Sequence, residues 1–236
     1  MIRIFTGTVG SGKSYHAVEL AIKKLKCFNR NYVIANFPIK FKKSEKKMKE
    51  RFIYVEDDEV TVKNFIELAV KHGFVGKESS CLIILDEAGI YFNSRDWQQQ
   101  KDRFLWIKFF AQSRKLGYDV VLVAQSLTMI DKQIRMCCEY NVKHIKLRNY
   151  IWFAWLPVQI FGAISFWSGG TFRGHLNFVM FKKWVANRYD TMRIFGQDEI
   201  ATTLKELQAA PERPAGEAAG AERIKPDKVV SIKSKG

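Results

Sequence analysis

The sequence predicts an α/β fold with a mostly parallel central sheet flanked by helices. Two observations carry that expectation. Short apolar runs alternate with amphipathic helical stretches, the pattern of successive βαβ units. A glycine-rich turn, Gly7 to Ser14, joins the first run directly to the first helix.

Ile2-Arg3-Ile4-Phe5 reads as the first strand. The helix after the turn is predicted from about Lys13 to Lys26. There Ala17, Val18, Ala21, Ile22 and Leu25 recur at helical spacing and set one apolar face against a sheet. Tyr32 to Asn36 reads as a second strand, closed by Phe37-Pro38, and Val62 to Val70 as a helix. Leu82 to Leu85 is continuously apolar, as a strand covered on both faces requires. Trp97 to Lys115 is expected to be a helix with a mixed aromatic and basic surface, and Val120 to Val123 a further buried strand.

After Ile130 the style changes. Residues 139–195 are aromatic-rich with weak helical periodicity, and Gly169-Gly170 signals a turn. They are expected to add antiparallel hairpins, an aromatic β extension, to a core of residues 1–135 within one domain of 1–197. From Ala209 onward no aromatic residue occurs, so the basic tail 205–236 is expected to be disordered. Asn149 to Phe172 contains no Asp, Glu, Lys or Arg over 24 residues, long enough to cross a bilayer. Pro157, Gln159, Ser165, Ser168 and the double glycine interrupt it, which favours hairpin strands over a span.

Lys and Arg number 39 against 24 Asp and Glu, a net charge of +15, which suits a polyanionic neighbour such as nucleic acid or an anionic membrane face. Seven of the twelve residues from Lys40 to Arg51 are basic, a contact surface of that kind or a solvated loop. Cys27, Cys81, Cys137 and Cys138 show no metal-ligand spacing, and His16, His72, His144 and His175 are scattered. The chain opens directly on its first strand, so no signal peptide is expected and the site should face a cytoplasm.

Gly7-Thr8-Val9-Gly10-Ser11-Gly12-Lys13-Ser14 matches G-x-x-x-x-G-K-[ST], with a strand before it and a helix after it. Such a loop curls its N–H groups around phosphates at a helix N-terminus. Lys13 would reach the β- and γ-phosphates of ATP, and Ser14 would ligate Mg²⁺. The apolar strand ending in Asp86-Glu87 adds two carboxylates, Asp86 for Mg²⁺ and Glu87 to orient or deprotonate the attacking water. Gln125, just past the Val120–Val123 strand, is a candidate sensor of the γ-phosphate. Arg114 is a candidate arginine finger acting in a neighbouring subunit, with Arg95 and Arg103 as competitors.

With these pieces placed, the chain resembles the N-terminal ATPase domain of the zonula occludens toxin family, which includes the filamentous phage gene I assembly proteins. The resembling segments are Ile2 to Ser14, Leu85-Asp86-Glu87-Ala88, and Ser113 to Asp119 leading to Gln125; Tyr189-Asp190-Thr191 with Phe195 resembles the end of that domain. The resemblance implies a ring oligomer, with a hexamer as the favoured size. It implies an ATPase at the cytoplasmic face of the host inner membrane that drives virion export. Its partners would be phage DNA or a DNA-bound phage protein, coat protein, and the membrane or a membrane-embedded assembly partner. Family members usually carry a membrane span after the ATPase domain, whereas here the residues after Phe195 are polar. A DNA-translocating ATPase of conjugation or packaging type shares most of these features. A small-molecule P-loop kinase is the less favoured alternative, since no arginine-rich lid stands between Asp86 and Gln125. A nucleotide-binding protein that scarcely hydrolyses is a fourth reading.

Overall fold

The computed structural model describes residues 1–28, 30–95, 102–146, 160–167 and 173–189. Strand β1 (Ile2–Thr6) leads into helix α1 (Lys13–Cys27), then β2 (Tyr32–Ala35), a single turn α2 (Lys46–Lys49) and β3 (Phe52–Tyr54). Helix α3 (Val62–Lys71), β4 (Cys81–Leu85), α4 (Arg103–Gln112), β5 (Tyr118–Val123), the short α5 (Lys132–Cys137) and β6 (Tyr140–Lys146) follow. Strands β7 (Ile160–Trp167) and β8 (Arg173–Met180) and a last turn, α6 (Lys183–Ala186), complete the described elements. All of them lie in the unit Met1–Arg193.

The described strands form one sheet in the order β3-β2-β4-β5-β1-β6-β7-β8. Its first six members run parallel, and β7 and β8 are antiparallel additions at one edge. The period of two along each strand sends alternate residues to opposite faces. Ile4, Ile34, Ile83, Leu85, Val120 and Leu122 face one core layer with Phe65 of α3 and Trp106, Phe109 and Phe110 of α4. Phe5, Val33, Leu82, Ile84, Val121 and Val123 face the other, against Ala17, Val18, Ala21, Ile22 and Leu25 of α1. Every apolar residue that defined the predicted face of α1 is therefore buried.

Two expectations change. Strand β6 pairs antiparallel with β7, as expected of the extension, but it runs parallel to β1, so the parallel sheet continues to Lys146, past residue 135. The alternation of buried Val142, exposed Lys143 and buried His144 is that of a half-covered strand, which the aromatic content obscured. Helix α4 is shorter than Trp97 to Lys115, because a glycine-terminated turn at Gly117 takes over from Ser113. The start of that stretch, 97–101, lies outside the described residues. One reading holds: Ile160–Trp167, within the uncharged stretch, forms β7, a strand of the expected antiparallel kind, and no helix among the described residues is long and apolar enough to cross a membrane. Residues 147–159 and 168–172, the tail 205–236, and the Asp190-Thr191 and Phe195 part of the quoted motif lie outside the described residues.

The basic stretch divides into two roles. Lys40, Lys42, Lys43, Lys46, Lys47 and Lys49 are exposed, but Arg51 is buried. Its guanidinium donates to the carbonyls of Leu25, Phe28, Asn31 and Lys47 at 2.8–3.0 Å, closing the C-terminal end of α1. Glu45 is tied by both oxygens to Arg188, at 2.6 and 2.7 Å. That guanidinium holds the Glu45 carboxyl down at about 2. The folded state thus favours the charged form. The stability it contributes is complete above the ordinary carboxyl value of 4.5 and is lost as pH falls toward 2. Glu45→Gln is expected to cost about 1–2 kcal/mol in urea unfolding at pH 7. The difference from the wild type should shrink as pH drops below 4.5, and a gap that stays constant to pH 2.5 would remove this ion pair from the account.

Candidate nucleotide site

The loop after β1 curls because Gly7, Gly10 and Gly12 have φ of 147°, 74° and 91°. Two of these glycines are also fixed by close neighbours. A Cβ on Gly7 would meet the His144 carbonyl oxygen of β6 at 2.5 Å, and one on Gly12 would meet the Phe161 ring of β7 at 2.6 Å. The loop is therefore wedged against the strands added beyond β1. Gly10 has open space at its Cβ position, and Thr8 and Val9 are exposed, so the tip of the loop faces solvent. Lys13, the first residue of α1, is buried and donates from Nζ to the carbonyls of Gly7 at 2.9 Å and Thr8 at 3.1 Å. Ser11 Oγ is buried with no hydrogen-bond partner, an orphan polar atom inside the loop.

Strand β5 lies between β1 and β4, so Gln125 stands beside both the loop and the carboxylates. Its backbone carbonyl accepts from Gly7 N at 3.3 Å, and its side chain hydrogen-bonds Glu87. Asp86 and Glu87 follow the end of β4. Glu87 takes φ 48°, a left-handed conformation that a residue with a side chain occupies only when its surroundings impose it. The clamp is visible: Ala88 N donates to Val123 O at 2.8 Å, and Glu87 N to Asp86 Oδ1 at 3.0 Å. Burial first, and then the neighbouring Asp86, push the Glu87 carboxyl above its usual range. Burial lowers Lys13, against the opposing pull of Glu87 and Asp86.

Sequence reasoning missed three residues of this site. Asn36, buried at the end of β2, accepts from Asp86 N at 2.8 Å and donates to Asp86 O at 3.1 Å. A polar residue ending an apolar strand was its signal, the same one that singled out Gln125. Asn36→Ala strands both backbone groups and is expected to lower stability by about 2 kcal/mol, read by urea unfolding; a loss under about 0.5 kcal/mol would deny the clamp. Tyr189 donates from its hydroxyl to Asp86 Oδ2 at 2.9 Å and also hydrogen-bonds the Ser14 side chain. Phe161 is the third, through Gly12. Only tertiary structure brings the last two to the loop.

Arg114 is not brought to this site. It lies before β5, at the opposite end of the strand from Gln125, and its guanidinium pairs with Glu78 at 3.0 Å on the surface. It cannot reach this chain's own loop. The histidines, scattered in sequence, are not all scattered in space: His16 Nδ1 and His144 Nε2 lie 2.8 Å apart, with His16 stacked on Phe5 and His144 tilted against it. Burial holds both neutral, with pKa values lowered to about 3 and about 4. They join α1 to β6 beneath the loop. No cluster of His, Cys, Asp and Glu suited to a metal occurs among the described residues.

The model of the zonular occludens toxin family, Zot, matches residues 1–154. The chain belongs to that family. Among curated relatives, the gene 1 proteins of Enterobacteria phage I2-2 and Salmonella phage IKe are each 27% identical over 223 residues. Those matches cover 87% of this chain and 59% of each relative. The chain thus spans about three fifths of the length of these relatives. Among solved structures, the genome packaging NTPase B204 from Sulfolobus turreted icosahedral virus 2, in complex with ATP-gammaS, aligns with a TM-score of 0.50 at 15% identity. That alignment covers 73% of this Zot-family chain and 95% of the packaging protein. The likeness is one of fold, that of P-loop NTPases with a mostly parallel sheet.

Proposed function

We propose that this Zot-family chain is an ATP-hydrolysing motor that assembles and exports filamentous phage particles at the host inner membrane. One observation carries the catalytic part: the glycine loop, the Asp86–Glu87 pair and Gln125 converge from three adjacent strands, β1, β4 and β5. The residues suit a phosphate and a divalent cation. Ser11 Oγ lacks a partner inside a loop whose tip is open, and Asp86 is a buried carboxylate linked to the Ser14 side chain through the Tyr189 hydroxyl.

In this reading Gly7 to Ser14 cradle the phosphates of ATP at the N-terminus of α1. Lys13 exchanges its two loop carbonyls for phosphate oxygens. Ser14 and Asp86 hold Mg²⁺, which when bound neutralises charge on the phosphates. Glu87, its carboxyl raised by burial, accepts a proton from water, and Gln125 keeps that carboxylate aimed by a direct hydrogen bond. Arg114 enters only as a candidate supplied to a neighbouring subunit of a ring.

Family membership and the phage gene 1 relatives support the assembly role, and the exposed lysines from Lys40 to Lys49 suit a polyanionic partner. Hydrolysis measured with anionic vesicles, coat protein, phage single-stranded DNA and duplex DNA tests it. Stimulation by vesicles or coat protein is expected. Stimulation by DNA alone would replace this reading with a DNA-translocating motor.

A further inference from the structure

Tyr189 joins the two groups assigned to the cation. Its hydroxyl donates to Asp86 Oδ2 at 2.9 Å and bonds the Ser14 side chain, while Asp86 Oδ1 already accepts from Glu87 N at 3.0 Å. Both carboxylate oxygens of Asp86 are thus engaged within the protein. A cation held by Ser14 and Asp86, directly or through its waters, would need the oxygen lone pairs that the Tyr189 hydroxyl now engages, so hydroxyl and cation compete for them. The Tyr189 ring is held edge-on to Phe37, with centroids 5.1 Å apart.

The residue beside it grips a different part of the molecule. Arg188 binds both oxygens of Glu45 and accepts at its carbonyl from Lys40 N at 2.9 Å. Val185 is buried in the α1 layer, and Trp184 lies against Lys26 at 4.8 Å. Consecutive residues therefore connect the cation groups to the lysine-rich segment after β2.

We propose that Tyr189 is a built-in competitor of the divalent cation: binding of the metal–nucleotide complex displaces its hydroxyl from Ser14 and Asp86 and loosens the segment Lys183–Tyr189. This rests on the nucleotide-site reading above. It gives the site a mechanical output, since the freed segment also bears on the lysines through Arg188 and Glu45.

The test uses the full chain with ADP and Mn²⁺ as the probe, free Mn²⁺ being counted by electron paramagnetic resonance. Tyr189→Phe deletes the hydroxyl and keeps the ring on Phe37. It is expected to bind Mn²⁺ about tenfold more tightly than wild type, the worth of one hydrogen bond to a charged group. In the wild type, amide hydrogen exchange across Lys183–Tyr189 should rise with Mn²⁺ and ADP, and stay unchanged with ADP in EDTA. Equal or weaker Mn²⁺ binding by the variant overturns the proposal and makes Tyr189 a support for Asp86. Unchanged or slower exchange with Mn²⁺ and ADP overturns it too. A fluorescent ADP analogue titrated in EDTA separates the two levels: if it binds and Mn²⁺ affinity is unmoved, this inference alone falls. Failure of the analogue to bind both in EDTA and with Mn²⁺ removes the nucleotide site and this inference together.

Discussion

Glu87→Gln is expected to reduce the turnover of ATP by about 10²- to 10⁴-fold while leaving nucleotide affinity within a few-fold of wild type. The split follows from position. In the proposed reading Glu87 acts on water and not on phosphate, and the amide keeps the shape and the hydrogen bond to Gln125 while losing the proton acceptor. Its left-handed backbone is set by the Ala88–Val123 and Glu87–Asp86 contacts, which glutamine retains. Steady-state phosphate release beside equilibrium binding of a fluorescent ATP analogue measures both quantities. A variant that turns over normally would remove Glu87 from the chemistry, and one that no longer binds would mean the side chain holds nucleotide.

Lys13→Ala is expected to fail in both measurements. The ammonium is the one cation of the loop, buried and held by the Gly7 and Thr8 carbonyls, poised to exchange them for phosphate oxygens. Losing its charge-assisted bonds should weaken ATP binding by about 10- to 100-fold and take turnover below detection. Stability should hold, because burial already disfavours the charged lysine and its deletion relieves that cost. Native-like nucleotide affinity in this variant would show that the loop amides suffice without it.

Local sequence made the parallel core legible. The face of α1, the uniformly apolar β4 and β5 and the strand–loop–helix context of Gly7 to Ser14 each obey a short-range rule, and each is where that rule put it. Strand β6 escaped because parallel pairing with β1 is a long-range choice, 135 residues apart at Thr6 and Asn141. The contacts of Phe161 with Gly12 and of Tyr189 with Asp86 escaped for the same reason, since neither residue carries a local pattern of a nucleotide site. Arg114 stands apart: the fold puts it at the far end of β5 from this chain's own loop, and a finger acting in a neighbouring subunit is a matter of assembly that local sequence does not carry.

These long-range contacts also say how the site is wired. The loop is braced by β6 through Gly7 and by β7 through Gly12, and α1 is tied to the end of β8 by Tyr15, whose hydroxyl donates to Met180 O at 3.1 Å and accepts from Lys182 N at 2.8 Å. A loop that moved on nucleotide exchange would therefore load the added strands directly. Leu176, Phe178 and Met180, exposed along β8, would move with them.

The most direct measurement is phosphate release from Mg-ATP by the purified chain in ¹⁸O-labelled water, with and without anionic vesicles. Hydrolysis at the cradle predicts that the phosphate carries the label, that EDTA stops its formation, and that vesicles accelerate it. Unlabelled phosphoryl transfer to an added acceptor, or ATP bound tightly with no phosphate formed under any of these conditions, would contradict it.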